Sequence, residues 1–197
     1  MNKRTFRASE AHKLEDPARQ SWLPVSGVVS LLGLREGMTI GDIGAGTGYF
    51  TLPFAREVGP SGRVFAVDLQ REMLDLIANK LRIPGSPSNI DMVQGDATGT
   101  SLPSASVDLV FMANIWHELD DHASTLKEAQ RILRSGGQLA ILDWRPDVPH
   151  PPGPPPDHRI PAHAVMQTLE HDGWQVGKST NVGLYGYLIV SGRTVRR

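Results

Sequence analysis

The chain contains no cysteine. Disulfides, thiolate metal sites and cysteine nucleophiles are therefore excluded together. It also lacks any uninterrupted apolar run near the roughly 18 residues that a membrane span requires. Residues 1–7 are basic, but Ala-Ser-Glu-Ala-His-Lys follows them where a secretion signal would place an apolar segment. The expectation is a cytoplasmic protein with no membrane span. Charge of one sign is missing too: 20 Lys and Arg stand against 21 Asp and Glu, a formal charge of −1. With no field to hold a polyanion, nucleic acid is not expected as a partner.

What the 197 residues do have is 40% hydrophobic content, enough for one domain with a self-sufficient core. Short β-branched runs alternate with helical patterns, which predicts an α/β fold with helices on both faces of a mostly parallel sheet. Strands are expected at residues 38–43, 63–68, 90–94, 107–113, 138–143, 174–179 and 185–190, seven in all. Between them, Met73, Leu74, Ile77 and Leu81 recur at helical spacing, as do Leu126, Ala129 and Leu133. Asp120 or Asp121 can cap the second of these helices, and Gly136-Gly137 can end it. The last two strands are joined by residues 180–184, with Asn181 and Gly183 inside, so an antiparallel hairpin is expected there.

Two segments stand apart. Residues 1–34 precede the first strand and read as a helical cap segment, with Val25, Val28, Val29, Leu31 and Leu32 on one helix after Pro24; the main domain would be residues 35–197. The stretch around His12 and Trp22 would cover the site or pack outside it. Residues 146–161 hold eight of the 15 prolines, which forbids helix interior or central strand and predicts a stiff loop. That loop is a spacer or a wall over the site; Pro161 suits the first position of a helix that Gly173 stops.

The chemistry concentrates at strand ends. Asp42-Ile43-Gly44-Ala45-Gly46-Thr47-Gly48 leads from the first strand into a helical run at residues 49–58. Alternating glycines allow a sharp turn and a close ligand, and the helix start offers unpaired N–H groups. A dinucleotide turn needs G-x-G-x-x-G, and here the third glycine position falls on Tyr49. Asp42 would repel a pyrophosphate and welcome an ammonium. Asp68 ends the second strand, where a carboxylate can accept from both ribose hydroxyls or cap the following helix. Asp96, in Gly95-Asp96-Ala97 after the third strand, is placed to accept from an exocyclic amine or simply to form a turn.

This constellation resembles the class I S-adenosylmethionine (SAM)-dependent methyltransferases, over about residues 38–144 and again at the terminal hairpin. The resemblance implies a Rossmann-like methyltransferase fold of seven strands and SAM as cofactor, with S-adenosylhomocysteine (SAH) as product. It assigns Gly44, Gly46 and Gly48, with Asp42, to the methionine part, Asp68 and Leu69 to the ribose, and Asp96 and Ala97 to the adenine. The run from Val107 to Asp120 and Arg131-Ile132-Leu133-Arg134-Ser135-Gly136-Gly137 are similar to the group containing ubiquinone and menaquinone C-methyltransferases, many of whose members act on other small molecules. A small-molecule acceptor and a monomer or homodimer are implied. Proline is common in that group where Ser135 stands, a difference in a turn.

After the fourth strand come Asn114, Trp116 and His117, where the family lines the gap between sulfonium and acceptor. Asn114 is expected to brace SAM, and His117 is the candidate catalytic base, against a bland reading as a histidine at a helix entrance. Asp143 and Trp144 face the same crevice by topology. His117, Glu118, Asp120, Asp121 and His122 point in different directions as consecutive residues must, so no metal site is assigned. The competing readings are a SAM-binding protein without catalysis and an NAD-dependent reductase.

Overall fold

The computed structural model describes residues 6–148 and 152–193. Part of the proline-rich stretch, residues 149–151, thus lies outside the described residues, as does the start of the basic segment at residues 1–5. Strands β1 (Thr39–Ile43), β2 (Arg63–Asp68), β3 (Ile90–Gln94), β4 (Val107–Ala113) and β5 (Leu133–Trp144) run parallel; β6 (Trp174–Val176), β7 (Thr180–Val182) and β8 (Gly186–Arg193) follow. The sheet order is β3-β2-β1-β4-β5-β8-β6, with β7 also paired to β8. The chain winds one way from β1 through β3 and the other way from β4, so the switch point lies between β1 and β4. Open α/β sheets form their crevice at the carboxyl ends of the strands there.

The seven expected strands become eight. Residues 180–184 were expected as a link only, yet Thr180 to Val182 pairs antiparallel with β8, and so does β6. The two are successive pieces of one edge, interrupted where Gly177 N donates to Val190 O at 3.0 Å. The expected strand at residues 174–179 is therefore shorter, and β8 sits antiparallel between β5 and that edge.

Helices α2 (Val25–Leu32), α3 (Thr51–Glu57) and α4 (Arg71–Leu81) cover one face, and α5 (His122–Ile132) and α6 (Ala162–His171) the other. Both faces are buried, so successive strand residues feed opposite cores: Leu109 and Phe111 of β4 pack with Phe50 and Phe54, while Val110 and Met112 pack with Leu126 and Ile132. Phe54 meets Phe111 edge-on at 4.9 Å. A fully buried side chain of this size contributes roughly 1.5–3 kcal/mol.

Helix ends differ from expectation by small, explicable steps. Asp121, not Asp120, caps α5, accepting from Ser124 N at 2.9 Å. The helix stops at Ile132, and Leu133 already begins β5, whose register against β4 shifts beside the Gly136-Gly137 bulge. Pro161 is the N-cap of α6 and not its first residue. The helix after the glycine turn begins at Thr51, two residues later than expected. Among the described residues, no helix is long and apolar enough to cross a membrane.

Candidate active site

One cavity of about 1540 Å³ opens at the switch point. Asp42, Gly44, Gly46, Asp68, Leu69, Asp96, Ala97, Asn114 and His117 all line it, so the acids expected at three strand ends do converge. Gly48 does not. Its bare Cα faces Leu52 and Ile77, where a Cβ would stand 2.8 and 3.1 Å away, and its N–H closes the turn on Ala45 O at 3.0 Å.

The acids differ sharply in environment. Asp42 is 2% exposed and accepts from the Thr51 hydroxyl at 2.5 Å. Burial pushes its pKa up from 3.8 to about 7, against the Thr51 hydrogen bond and with the Asp68 charge. Asp68 joins two loops: one oxygen accepts from Gly46 N at 2.8 Å, the other from Gln70 N at 2.9 Å. Burial raises its pKa, opposed by those N–H bonds and that of Leu69. Asp68 does not cap α4, whose N-cap is Gln70 with no side-chain cap bond; the second bond closes a local turn ahead of the helix, and the first fixes the glycine turn. Asp96 is engaged locally, accepting from Thr98 N at 2.8 Å and its hydroxyl at 2.7 Å.

Asn114 takes a left-handed backbone, φ 57°, which asparagine tolerates better than most side chains, and its N–H bonds Leu142 O at 2.7 Å. That turn drops the chain from β4 into a 3-10 helix, Trp116–Glu118, beside the end of β5. His117 thereby meets Asp143: Nδ1 lies 2.7 Å from Oδ1, and the His117 backbone N–H donates to Oδ2 at 2.9 Å. Asp143 is fully buried and His117 is 4% exposed. Burial opposes the charged imidazole, but the hydrogen bond and charge of Asp143, with Glu118 behind, outweigh it and raise the His117 pKa above 6.5. Glu118 is pushed to about 7 by burial, against a hydrogen bond from Phe6 N. Both residues are expected at the crevice from sequence, but only His117 lines the cavity; Asp143 is fully buried behind the histidine, and their pairing follows from the adjacency of β4 and β5.

The segment before α2 closes the cavity. A 3-10 helix, Ala8–Glu15, and the short α1, Arg19–Trp22, lie across its mouth. Gln70 holds the first by both ends of its amide, to Phe6 O at 2.8 Å and Ala8 N at 2.9 Å. Lys80 ties Glu15 (2.7 Å) to Thr47 O (2.6 Å). His12 and Trp22 line the cavity, so this segment covers it. On the opposite side, Pro152, Gly153, Pro154 and Pro155 form a wall, with Gly153 pressed on the Trp144 ring and Arg159 bonding Pro154 O at 2.6 and 2.9 Å. No local pattern marks Gln70 or Arg19 as site residues, whereas Thr47 lies inside the glycine turn.

The comparisons agree with this geometry. The methyltransferase domain family matches residues 41–141. The ubiquinone/menaquinone biosynthesis C-methyltransferase UbiE of Hahella chejuensis (strain KCTC 2396) is 39% identical over 112 residues, which are 57% of this chain and 45% of that one. That of Pasteurella multocida (strain Pm70) is 34% identical over 60% of this chain and 44% of its own length. The matched stretch thus spans about half the length of these curated relatives. A SAM dependent methyltransferase from Aquifex aeolicus superposes with a TM-score of 0.90 at 32% identity, covering 96% of this chain and all of that one. With the glycine turn, the strand-end acids and the antiparallel last strand, these matches place the chain in the class I SAM-dependent methyltransferase family.

Proposed function

We propose that the chain transfers a methyl group from SAM to a carbon or oxygen of a small molecule, an atom that must lose a proton, and that His117 is the base. The observation that carries this is one cavity lined both by the strand-end acids and by His117, which Asp143 holds from behind.

The residues present fit the cofactor. An ionised carboxylate has about four lone-pair sites, and Asp68 uses two on backbone N–H groups, leaving acceptors for ribose hydroxyls. Asp96, with Ala97 and Leu69, suits the adenine end; Asp42, Gly44, Gly46 and Asn114 suit the methionine end, with Gly48 shaping the turn. When bound, SAM supplies an electrophilic methyl with a neutral leaving group. His117 takes the acceptor's proton at Nε2, because a carboxylate on Nδ1 keeps that nitrogen as donor and leaves the lone pair on Nε2. Residues 1–34 act as a cap on the SAM-binding unit at residues 35–197, excluding water. The C-methyltransferase relatives and the flat walls of Trp22, Trp144 and the prolines favour a planar acceptor such as a phenol or quinol. No nucleic acid partner is proposed, and the working state is a cytoplasmic monomer or homodimer.

The test is label transfer from methyl-labelled SAM to a panel of phenols and quinols, with SAH and NAD titrated beside it. SAH binding without NAD binding, and labelled product, are expected. His117→Ala should leave SAH affinity nearly unchanged and lower the single-turnover rate by roughly a hundredfold. The wild-type rate should rise with pH through a pKa above 6.5, and the variant should lose that rise. An active His117→Ala protein with a flat profile would return the histidine to a structural role. SAH binding with no product from any acceptor would favour a non-catalytic SAM-binding protein.

A further inference from the structure

Arg19 lies in α1, on the roof of the cavity, and is 6% exposed. Its guanidinium stacks over the Tyr49 ring at 4.0 Å, and Nη1 donates to Leu14 O at 3.2 Å. Nε is buried and has no hydrogen-bond partner among the described residues. No carboxylate is ion-paired with it among the described residues: the charge of Glu15 favours the cation from a distance, but its carboxylate is bound to Lys80. Burial drags the Arg19 pKa down to about 10, which shows how poorly the cation is solvated.

A second orphan lines the same cavity. Thr47, inside the glycine turn and 1% exposed, also lines the cavity, and its hydroxyl has no partner. Among the described residues only three buried side-chain atoms lack a hydrogen bond, and these are two of them. Buried polar atoms are otherwise satisfied in folded proteins, so orphans sharing one cavity point to a ligand that completes them. Leu14, over Gly46, and Tyr49, just past Gly48, place Arg19 above the turn.

We infer that Arg19, with the Thr47 hydroxyl, is a recognition point for a carboxylate entering the cavity. A planar guanidinium and a hydroxyl both donate, and guanidinium is the side chain best matched to a carboxylate's two oxygens. The acid comes from the amino-acid end of SAM or from the acceptor. The inference rests on the SAM reading above, and its test separates the two.

Three proteins, the wild type, Arg19→Met and Arg19→Lys, are titrated with SAH and with 5′-methylthioadenosine, which keeps the nucleoside and sulfur but has no carboxylate. If the cofactor supplies the acid, Arg19→Met loses SAH affinity by about 10- to 100-fold and keeps that for methylthioadenosine, with Arg19→Lys between. If the acceptor supplies it, both nucleosides bind all three proteins alike, and benzoate raises the melting temperature of the wild type but not of Arg19→Met, with or without SAH. In either case the ligand-free Arg19→Met protein melts no lower than the wild type, because an unanswered buried charge has been removed. Unchanged binding of both nucleosides together with no benzoate response overturns the inference, and a lowered melting temperature in that case makes Arg19 a packing residue. Failure of the SAM reading shows differently, as loss of both nucleosides in every protein, and the benzoate comparison then decides for or against Arg19.

Discussion

Asp42 is the group whose ionisation the ligand should change most. With its pKa at about 7 instead of 3.8, and about 1.4 kcal/mol per tenfold, keeping it ionised in the empty protein costs on the order of 4 kcal/mol. The folded pKa is raised, so the stabilising contribution is complete below 3.8 and is lost as pH rises through about 7. Stability of the ligand-free protein should therefore fall across that window, and Asp42→Asn should flatten the fall. An ammonium brought to the end of β1 favours the carboxylate. Binding SAH at about pH 6 should then expel close to one proton, and at about pH 8.5 almost none. Calorimetry in two buffers of different ionisation enthalpy counts the protons directly. Glu118 also titrates near 7, so Asp42→Asn is the control: it should release none and bind at least about tenfold more weakly. Equal enthalpies in both buffers near pH 6, or full SAH affinity in Asp42→Asn, would refute the reasoning.

Asp68→Ala removes the acceptor of both Gly46 N and Gln70 N, and SAH affinity measured by calorimetry should drop at least about tenfold; full affinity in a folded variant would leave Asp68 as a turn former only. Glu128 binds the buried Thr100 N–H at 2.8 Å, its hydroxyl at 2.6 Å, and Arg131, so Glu128→Ala should cost about 2–3 kcal/mol in denaturant unfolding. The Arg131 hydrogen bond first, and those of Thr100, hold the Glu128 pKa down to about 2 against burial. That stability is present above 4.5 and lost as pH falls toward 2, so the variant's deficit should shrink in acid; a deficit that does not change with pH would refute the assignment.

The sheet and its helices were legible because their signals are local. The Met73–Ile77 and Leu126–Ala129 spacings mark helices that do bury those residues, and β-branched runs mark β1 to β4 to within a residue, while β5 begins five residues earlier than expected and β6 and β8 each end three residues away from expectation. The strand-end acids were legible because topology alone brings carboxyl ends together. What stayed hidden depends on tertiary partners. Nothing near Thr180 announces that it will lie beside Leu188, and nothing near Gln70 announces that its amide will clasp Phe6 and Ala8, more than 60 positions earlier. Arg19 reads as an ordinary surface arginine until the fold buries it over Tyr49.

The stretch matched by the family and the surfaces that close the cavity divide along the same line. Residues 41–141 match the family, and they carry the glycine turn, Asp68, Asp96 and His117. The surfaces that close the cavity lie outside that stretch: Arg19 and Trp22 before it, Trp144 and the proline wall after it. These two flanks are also joined to each other. Trp22 meets Trp144 at 5.5 Å and Tyr185 at 6.1 Å, and Leu184 N donates to Trp22 O at 3.1 Å. Gly183 next to it has no room for a side chain, since a Cβ would stand 1.9 Å from that same carbonyl. The roof cannot move at Trp22 without moving the turn between β7 and β8, nor can Trp144 shift without disturbing Gly153 in the wall. If acceptors enter between these coupled flanks, a change at Gly183, which is absent from the cavity lining, should alter which acceptors are labelled in the methyl-transfer panel as surely as a change at Trp144.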